Sequence, residues 1–98
     1  MSLTNKQNKY LRGLAHSLKP VVMIGNNGVT EALLKELDER LAHHELIKVR
    51  ISGVDREARL QMAQKLCAQS GSELVNTIGH IAIIYRPARQ PIIQLPKS

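Results

Sequence analysis

A short apolar run that stops at a Gly-Asn-Asn-Gly stretch, directly before a helical pattern, is the most constraining feature of this sequence. The run, residues 21–24, is four residues long and continuous, which predicts a strand covered on both faces. Thr30 can cap the helix that follows, and the leucines of this helix recur at helical spacing at positions 33, 34, 37 and 41. The stretch therefore predicts a strand, a glycine-rich turn and a helix in that order.

The same alternation of strands and helices extends over most of the chain. Thr4 and Gln7 have the spacing of a capping box and begin a helix that Pro20 ends, with Leu11, Leu14 and Leu18 as its buried stripe. Residues 46–51 alternate apolar and polar with period two, and Asp55 can cap a third helix that extends to about residue 70. Residues 74–78 and 81–85 predict two strands joined by a type II′ turn.

The predicted element order is α-β-α-β-α-β-β. Strands that alternate with helices imply right-handed crossovers and a largely parallel sheet, with the last hairpin as an antiparallel pair at its end. We therefore expect an α/β fold with a mixed four-stranded sheet. Ninety-eight residues leave no room for a second hydrophobic core, which predicts a single domain over residues 1–98. Three prolines after residue 86 predict an extended tail over residues 87–98, with Ile92 and Ile93 pinned to the body.

Charge is unevenly distributed along the chain. Fourteen Lys and Arg against eight acids give a net charge of +6, and all eight acids lie between Glu31 and Glu73. Both ends are therefore basic, and Lys9 and Arg12 share one stripe of the first helix, which Lys19 follows. This distribution predicts a polyanionic partner, most often a nucleic acid; the alternative is a charge that serves solubility.

Localisation is predicted from what the sequence lacks. Cys67 is the single cysteine, so no intrachain disulfide can form. No apolar run approaches the roughly 18 residues of a membrane span, and the first ten residues contain no apolar signal segment. We expect a cytoplasmic protein without a membrane partner.

The glycine-rich stretch has the composition of an anion-binding turn. Gly25 and Gly28 allow close approach of a ligand to the backbone, and Asn26 and Asn27 supply neutral donors, beside a helix N-terminus. The alternative is an ordinary tight turn. A Walker A loop would need Lys and then Ser or Thr directly after Gly28, where this sequence has Val and Thr. The dinucleotide fingerprint G-x-G-x-x-G would need a further glycine two residues before Gly25, where this sequence has Met. With only two Phe, Trp or Tyr residues, extensive base stacking is disfavoured, so we expect recognition of the shape and backbone of RNA.

Five blocks of the sequence together resemble the CRM domain, the chloroplast RNA splicing and ribosome maturation domain, in its stand-alone bacterial YhbY-type form. They are LRGLAH at residues 11–16, KPVV at 19–22, GNNG at 25–28, HELIKVR at 44–50 and IYRP at 84–87. The resemblance implies a fold similar to the C-terminal domain of translation initiation factor three. It also implies RNA binding through the G-x-x-G loop and association with precursors of the large ribosomal subunit, with rRNA as the partner.

The candidate RNA-binding residues come from two sources. The resemblance assigns the loop residues Gly25, Asn26, Asn27 and Gly28 and the basic residues Lys9, Arg12 and Lys19. Charge and strand alternation add Lys48, Arg50 and Arg86. Lys48 and Arg50 have an alternative role, in which they line an edge or cover a helix with their aliphatic stems.

No constellation of residues predicts catalysis. Cys67 lies in an apolar helical pattern typical of a core residue, and the adjacent His43 and His44 lack the spacing of a metal pair. We therefore predict no enzyme activity, no cofactor, no metal and no small-molecule substrate. Two other functions stay open: a module that docks on a ribosomal protein or assembly factor and, with less support, an enzyme that binds a phosphorylated metabolite.

Overall fold

The computed structural model describes residues 3–25 and 27–97; Asn26, a predicted loop residue, lies outside them. The elements are α1 (Asn5–Ala15), β1 (Pro20–Ile24), α2 (Glu31–His44), β2 (Leu46–Ile51), α3 (Arg56–Ser70), β3 (Glu73–Ile78) and β4 (Ile81–Tyr85). This is the predicted order, and the boundaries of β2 and of β4 are those that the sequence predicts.

The four strands form one mixed sheet in the order β1-β2-β4-β3. β1 and β2 are parallel, whereas β4 is antiparallel to both β2 and β3. The sheet is therefore mixed, but the expectation that it is largely parallel is wrong, because β4 rather than β3 lies beside β2. The glycine-rich loop after β1 and the β3–β4 hairpin consequently lie at the same end of the sheet, which we call the loop end. Lys19, Glu45 and Arg86 lie at the opposite end.

Helices cover both faces of the sheet. α2 and α3 pack together on one face, over a cluster that includes Ile24, Leu37 and Leu66, and α1 packs on the other face, mainly over β2, β3 and β4. Leu11 of α1 and Tyr85 of β4 are buried between α1 and the sheet. Full burial of a large apolar side chain stabilises a fold by about 1.5–3 kcal/mol, so these two clusters supply most of the driving force for folding.

Local capping and turn signals in the sequence correspond to the observed geometry. The Thr4 hydroxyl accepts the Gln7 N–H while the Gln7 side chain accepts the Thr4 N–H, which completes the capping box. Thr30 and Asp55 cap α2 and α3 in the predicted way. Of the two hairpin residues only Gly79 has a positive φ, of 56°, as a type II′ turn requires.

The predicted buried stripe of α1 is wrong in two positions. Leu11 is buried, but Leu14 and Leu18 are 39% and 38% exposed, and Ala15 takes the second buried position. α1 ends at Ala15 rather than at Pro20, because the chain turns there and the Leu18 N–H donates to the Ala15 carbonyl at 3.0 Å. Leu18 is thus outside the helix.

The prediction that residues 21–24 are covered on both faces is also wrong. Val22 and Ile24 are buried under α2 and α3, but Val21 is 37% and Met23 69% exposed. The reason is that β1 is an edge strand and α1 lies mainly over the other three strands. A continuous apolar run reports a buried strand only when both faces of that strand receive a helix.

A buried carboxylate holds the chain after β4 against the body. Glu45 is fully buried, and its oxygens accept the N–H groups of Ala88 at 2.7 Å, Ile92 at 2.9 Å and Ile93 at 2.7 Å. Burial by itself raises the pKa of Glu45, but the three backbone hydrogen bonds outweigh burial and hold this pKa below its usual value of 4.5. The segment thus depends on a charged Glu45.

The attachment of this segment is expected to be sensitive to acid. Because the pKa of Glu45 is lower in the folded than in the unfolded protein, its stabilisation is complete above pH 4.5 and is lost as pH falls through the folded-state pKa. We expect the amide resonances of Ala88, Ile92 and Ile93 to titrate together, with a shared midpoint below 4.5, in an NMR titration from pH 7 downwards. A shared midpoint above 4.5, or independent titration, would contradict this.

Candidate nucleic-acid interface

The glycine-rich loop is a tight turn at the loop end of the sheet. The N–H of Gly28 donates to the carbonyl of Gly25 at 3.1 Å, so this amide is used within the turn. Gly25 and Asn27 are exposed, and Gly28 is half-buried. A ligand at this loop therefore meets the exposed surface of Gly25 and Asn27 first.

The two glycines of the loop differ in whether the backbone conformation requires glycine. Gly28 has a φ of +66°, a conformation that other L-residues adopt with strain, so the turn itself requires it. Gly25 is not in this conformation, and a Cβ added there would meet no atom within 4 Å. The fold places no demand for glycine at position 25, whereas a surface that approaches the backbone closely would require one.

A second exposed glycine lies on α1 among basic side chains. Lys9 and Arg12 are exposed, and neither forms an ion pair with any residue among 3–25 and 27–97. Gly13 is one turn from Lys9, and a Cβ at Gly13 would also meet nothing within 4 Å. Glycine is a poor helix former, and Gly13 lies in the last turn of α1, where packing does not require it.

Sequence reasoning did not place Gly13 among the candidate residues. The signal that could have found it is an isolated glycine inside a helical pattern whose neighbours at helical spacing are basic. Its position supports the outer face of α1 as a contact surface.

The predicted residues do not form one cluster. Gly25, Asn27 and Gly28 follow β1 at the loop end, whereas Lys19 precedes β1 at the opposite end. A five-residue strand spans about 17 Å, so one phosphate cannot contact both groups. A ligand that contacts all of the predicted residues must extend along the whole length of β1.

Lys48 and Arg50 differ in their surroundings. The Lys48 Nζ donates to the Leu18 carbonyl at 3.0 Å, which secures the turn between α1 and β1, and the side chain is half-buried. This role differs from both roles that the sequence suggested for Lys48, and RNA binding by Lys48 remains a prediction. Arg50 is exposed and pairs in register with Met23 of β1, one residue from the loop end. Arg50 is thus the better placed of the two for a ligand on the loop.

Arg86 lies in a network between elements. Its guanidinium donates to the Asp38 carboxylate at 2.6 Å, to the Asp38 carbonyl at 3.1 Å and to the Ser70 carbonyl at 3.0 Å. It therefore joins the segment after β4 to α2 and to the end of α3. RNA binding by Arg86 remains a prediction from charge, and the contacts in the structure give this side chain a stabilising role.

Replacement of Arg86 by methionine, which keeps most of the aliphatic stem, is expected to lower the free energy of unfolding by about 1–2 kcal/mol. The two carbonyl bonds carry most of this loss, since Asp38 is 66% exposed and its ion pair is screened by water. Urea unfolding checks the value, and Arg89→Met, at an exposed arginine of the same segment, is the control. An equal effect of both variants would contradict the structural role.

The model of the CRS1 / YhbY (CRM) domain matches residues 3–86, from just before α1 to the residue after β4. The chain belongs to the CRM domain family. The match includes the glycine-rich loop and the basic stripe of α1, so both surfaces described above belong to the CRM domain.

Relatives of similar length are found in several bacteria. The chain is 47% identical over 97 residues to a Haemophilus influenzae protein named "RNA-binding protein", a match that covers 99% of this chain and 98% of the relative. It is 44% identical to a "probable RNA-binding protein" of Pseudomonas aeruginosa, over 93% of this chain and 88% of the relative. A Bacillus subtilis relative with the same kind of name is 37% identical, over 96% and 99%.

A solved structure has the same fold. The solution structure of a hypothetical protein from Staphylococcus aureus superposes with a TM-score of 0.85 at 38% identity, over 97% of this chain and all of that one. No helix formed by residues 3–25 or 27–97 is long and apolar enough to cross a membrane. Within the same residues, no group of three or more His, Cys, Asp or Glu is placed to hold a metal ion.

Proposed function

We propose that this CRM-family protein binds RNA through the glycine-rich loop and the outer face of α1. The observation that carries the proposal is Gly25, a glycine that neither backbone conformation nor packing requires, on an exposed turn in a domain whose relatives are named RNA-binding proteins. The contact is with sugar and phosphate, because the exposed glycine lets a polymer backbone approach.

Cationic side chains supply the attraction in this proposal. Lys9 and Arg12 on α1 and Arg50 beside the loop are exposed, and no ion pair within residues 3–25 and 27–97 neutralises them. Each can neutralise a phosphate and release a counterion. Asn26, Lys19, Lys48 and Arg86 remain candidate contacts, of which Lys48 and Arg86 already have partners within the protein.

The RNA in this proposal is large-subunit rRNA in ribosome precursors, and the protein acts in the cytoplasm as an assembly factor without catalytic activity. The family resemblance supports this finer assignment, and the names of the relatives support RNA as the ligand. The net charge of +6 favours association with such a polyanion.

The salt dependence of binding tests the proposal. Transcripts of large-subunit rRNA and size-matched small-subunit rRNA are titrated with the protein at several salt concentrations. We expect tighter binding to the large-subunit transcript, and a slope of log K against log salt of about −2 to −4.5 if three to five phosphates are neutralised at about 0.7–0.9 each. A slope near zero would contradict an interface made of cations and phosphates.

One surface favours a second candidate, docking on a ribosomal protein or assembly factor. One row of side chains crosses the α1 face of the sheet at the loop end and consists of Met23, Arg50, Ile81 and Ile78. Met23 is 69% and Ile78 60% exposed, so this row presents apolar groups around one arginine. Docking there predicts salt-tolerant binding to a protein that Met23→Ser weakens and Gly25→Asp does not change.

A further inference from the structure

A cleft opens beside the glycine-rich loop, between the N-terminal half of α3 and the β3–β4 hairpin. Its volume is about 610 Å³, which lies in the range of small-molecule binding sites. The side chains that matter for its chemistry are Arg56, Glu57, Arg59, Leu60, His80 and Ala82. None of them belongs to the predicted RNA-binding set.

The lining of this cleft suits a flat, polar, aromatic ligand. Leu60 is 41% exposed although it is apolar, and together with Ala82, whose side chain belongs to the core on the α2 and α3 face, it offers a hydrophobic wall. Arginine and histidine side chains stack on nucleobases and donate hydrogen bonds to the edges of bases, and Arg56 and His80 lie at the same cleft. Glu57 adds an acceptor for an exocyclic amino group.

Arg59 contributes a donor that the fold leaves unused. One terminal nitrogen of its guanidinium donates to the Val54 carbonyl at 2.9 Å, which fixes the side chain in place. Its Nε is buried and has no hydrogen-bond partner among residues 3–25 and 27–97. Buried donors without partners are rare because each costs about 1–3 kcal/mol, so hydrogen bonding at this wall of the cleft is incomplete.

The cleft and the loop are separated by a single strand. The Ser52 N–H donates to the Ile24 carbonyl at 3.0 Å, which ties the start of the loop to the end of β2. On the other side of β2, the Ile51 N–H donates to the His80 carbonyl at 2.8 Å. Two strand spacings amount to about 10 Å, so a short stretch of one polynucleotide can reach both places.

We propose that this cleft takes an unpaired base of the RNA strand whose backbone lies on the glycine-rich loop. The inference rests on the proposed function and adds to it the group that the RNA must present, a base that is not paired. Phosphate contacts at the loop and α1 position the strand, and the cleft reads one base. The ligand is thus single-stranded at that point.

Short oligonucleotides test the inference by fluorescence anisotropy. The probes are labelled decamers of uridine, adenosine and cytidine, and an abasic decamer of equal length and charge. We expect at least one base-containing decamer to bind about tenfold tighter than the abasic decamer, which corresponds to the free energy of stacking one base.

The double variant Leu60→Ser/His80→Ser is expected to abolish this preference while its affinity for the abasic decamer is unchanged. Leu18→Ser, at a leucine of matched exposure at the opposite end, keeps the preference.

Each contrary result has its own meaning. Equal affinity of the wild-type protein for all four decamers overturns the cleft and leaves the loop interface in place, as does a preference that the folded double variant retains. If no decamer binds, the proposed function fails together with the inference. Saturable binding of a free nucleoside monophosphate at micromolar concentration that Gly25→Asp leaves unchanged would assign the cleft to a free nucleotide and overturn the RNA assignment.

Discussion

Replacement of Glu45 by alanine is expected to lower the free energy of unfolding by about 3 kcal/mol and to release residues 88–93 from the body. Three backbone N–H groups lose their acceptor, and hydrogen bonds to a charged group contribute about 1.5–3 kcal/mol each. The loss stays below their sum because the released segment regains bonds to water. Urea unfolding measures the free energy, and hydrogen exchange of the amides of Ala88, Ile92 and Ile93 reports the release.

Two further variants make this result specific. Glu36→Ala removes an exposed carboxylate of α2 and is expected to change stability by less than about 0.5 kcal/mol. Glu45→Gln keeps the size of the side chain but places an amide nitrogen, which only donates, where one oxygen accepted an N–H, so an intermediate loss is expected. Unchanged stability in Glu45→Ala, with the three amides still protected, would contradict the role of this carboxylate.

Gly25→Asp is expected to weaken RNA binding by about tenfold or more and to leave the unfolding midpoint unchanged. The added side chain projects into open space, so the fold tolerates it, but its negative charge lies where the proposed interface holds phosphate. Filter binding with a large-subunit rRNA transcript measures the affinity, and thermal unfolding measures stability.

The other glycine of the loop and a remote residue provide the controls for Gly25→Asp. Gly28→Ala places a Cβ on a backbone with φ of +66° and is expected to cost about 1 kcal/mol of stability. Gln90→Glu makes the same change of net charge at an exposed residue at the opposite end, and its RNA affinity should match the wild-type protein. Equal losses of affinity in Gln90→Glu and Gly25→Asp would show that only total charge matters.

Local signals in the sequence predicted the element order well because they act over a few residues. The Thr4–Gln7 capping box, the Thr30 and Asp55 caps and the Gly79 turn are decided by bonds within four residues. The alternation of β2 likewise reports which of its side chains face α2 and α3, and Ile47, Val49 and Ile51 are indeed buried there.

Tertiary placement explains what the sequence did not predict. The exposure of Leu14 and Met23 depends on which strands α1 covers, and no local pattern contains that information. Glu45 looks like any glutamate after a helix, because its three hydrogen-bond donors come from residues more than 40 positions away. The sequence therefore predicted the helices and strands but not the tertiary contacts that hold them together.

The sequence likewise predicted only the local parts of the candidate interface. The loop was visible in the sequence because its residues are contiguous, and a basic stripe follows from helical spacing. The cleft at α3 was not visible, since Arg59 and His80 are 21 positions apart and meet only when α3 packs beside the hairpin. Charge alone also pointed to Arg86, whose guanidinium is held by Asp38 and Ser70.

The central claim is that Gly25 marks the place where RNA lies on this domain. The most direct test is crosslinking in growing cells with sequencing of the attached RNA, for the wild-type protein and for Gly25→Asp. We expect reads concentrated at a few positions of large-subunit rRNA, and their loss in the folded Gly25→Asp variant. Diffuse reads that Gly25→Asp leaves unchanged would contradict the account and make this loop an ordinary turn.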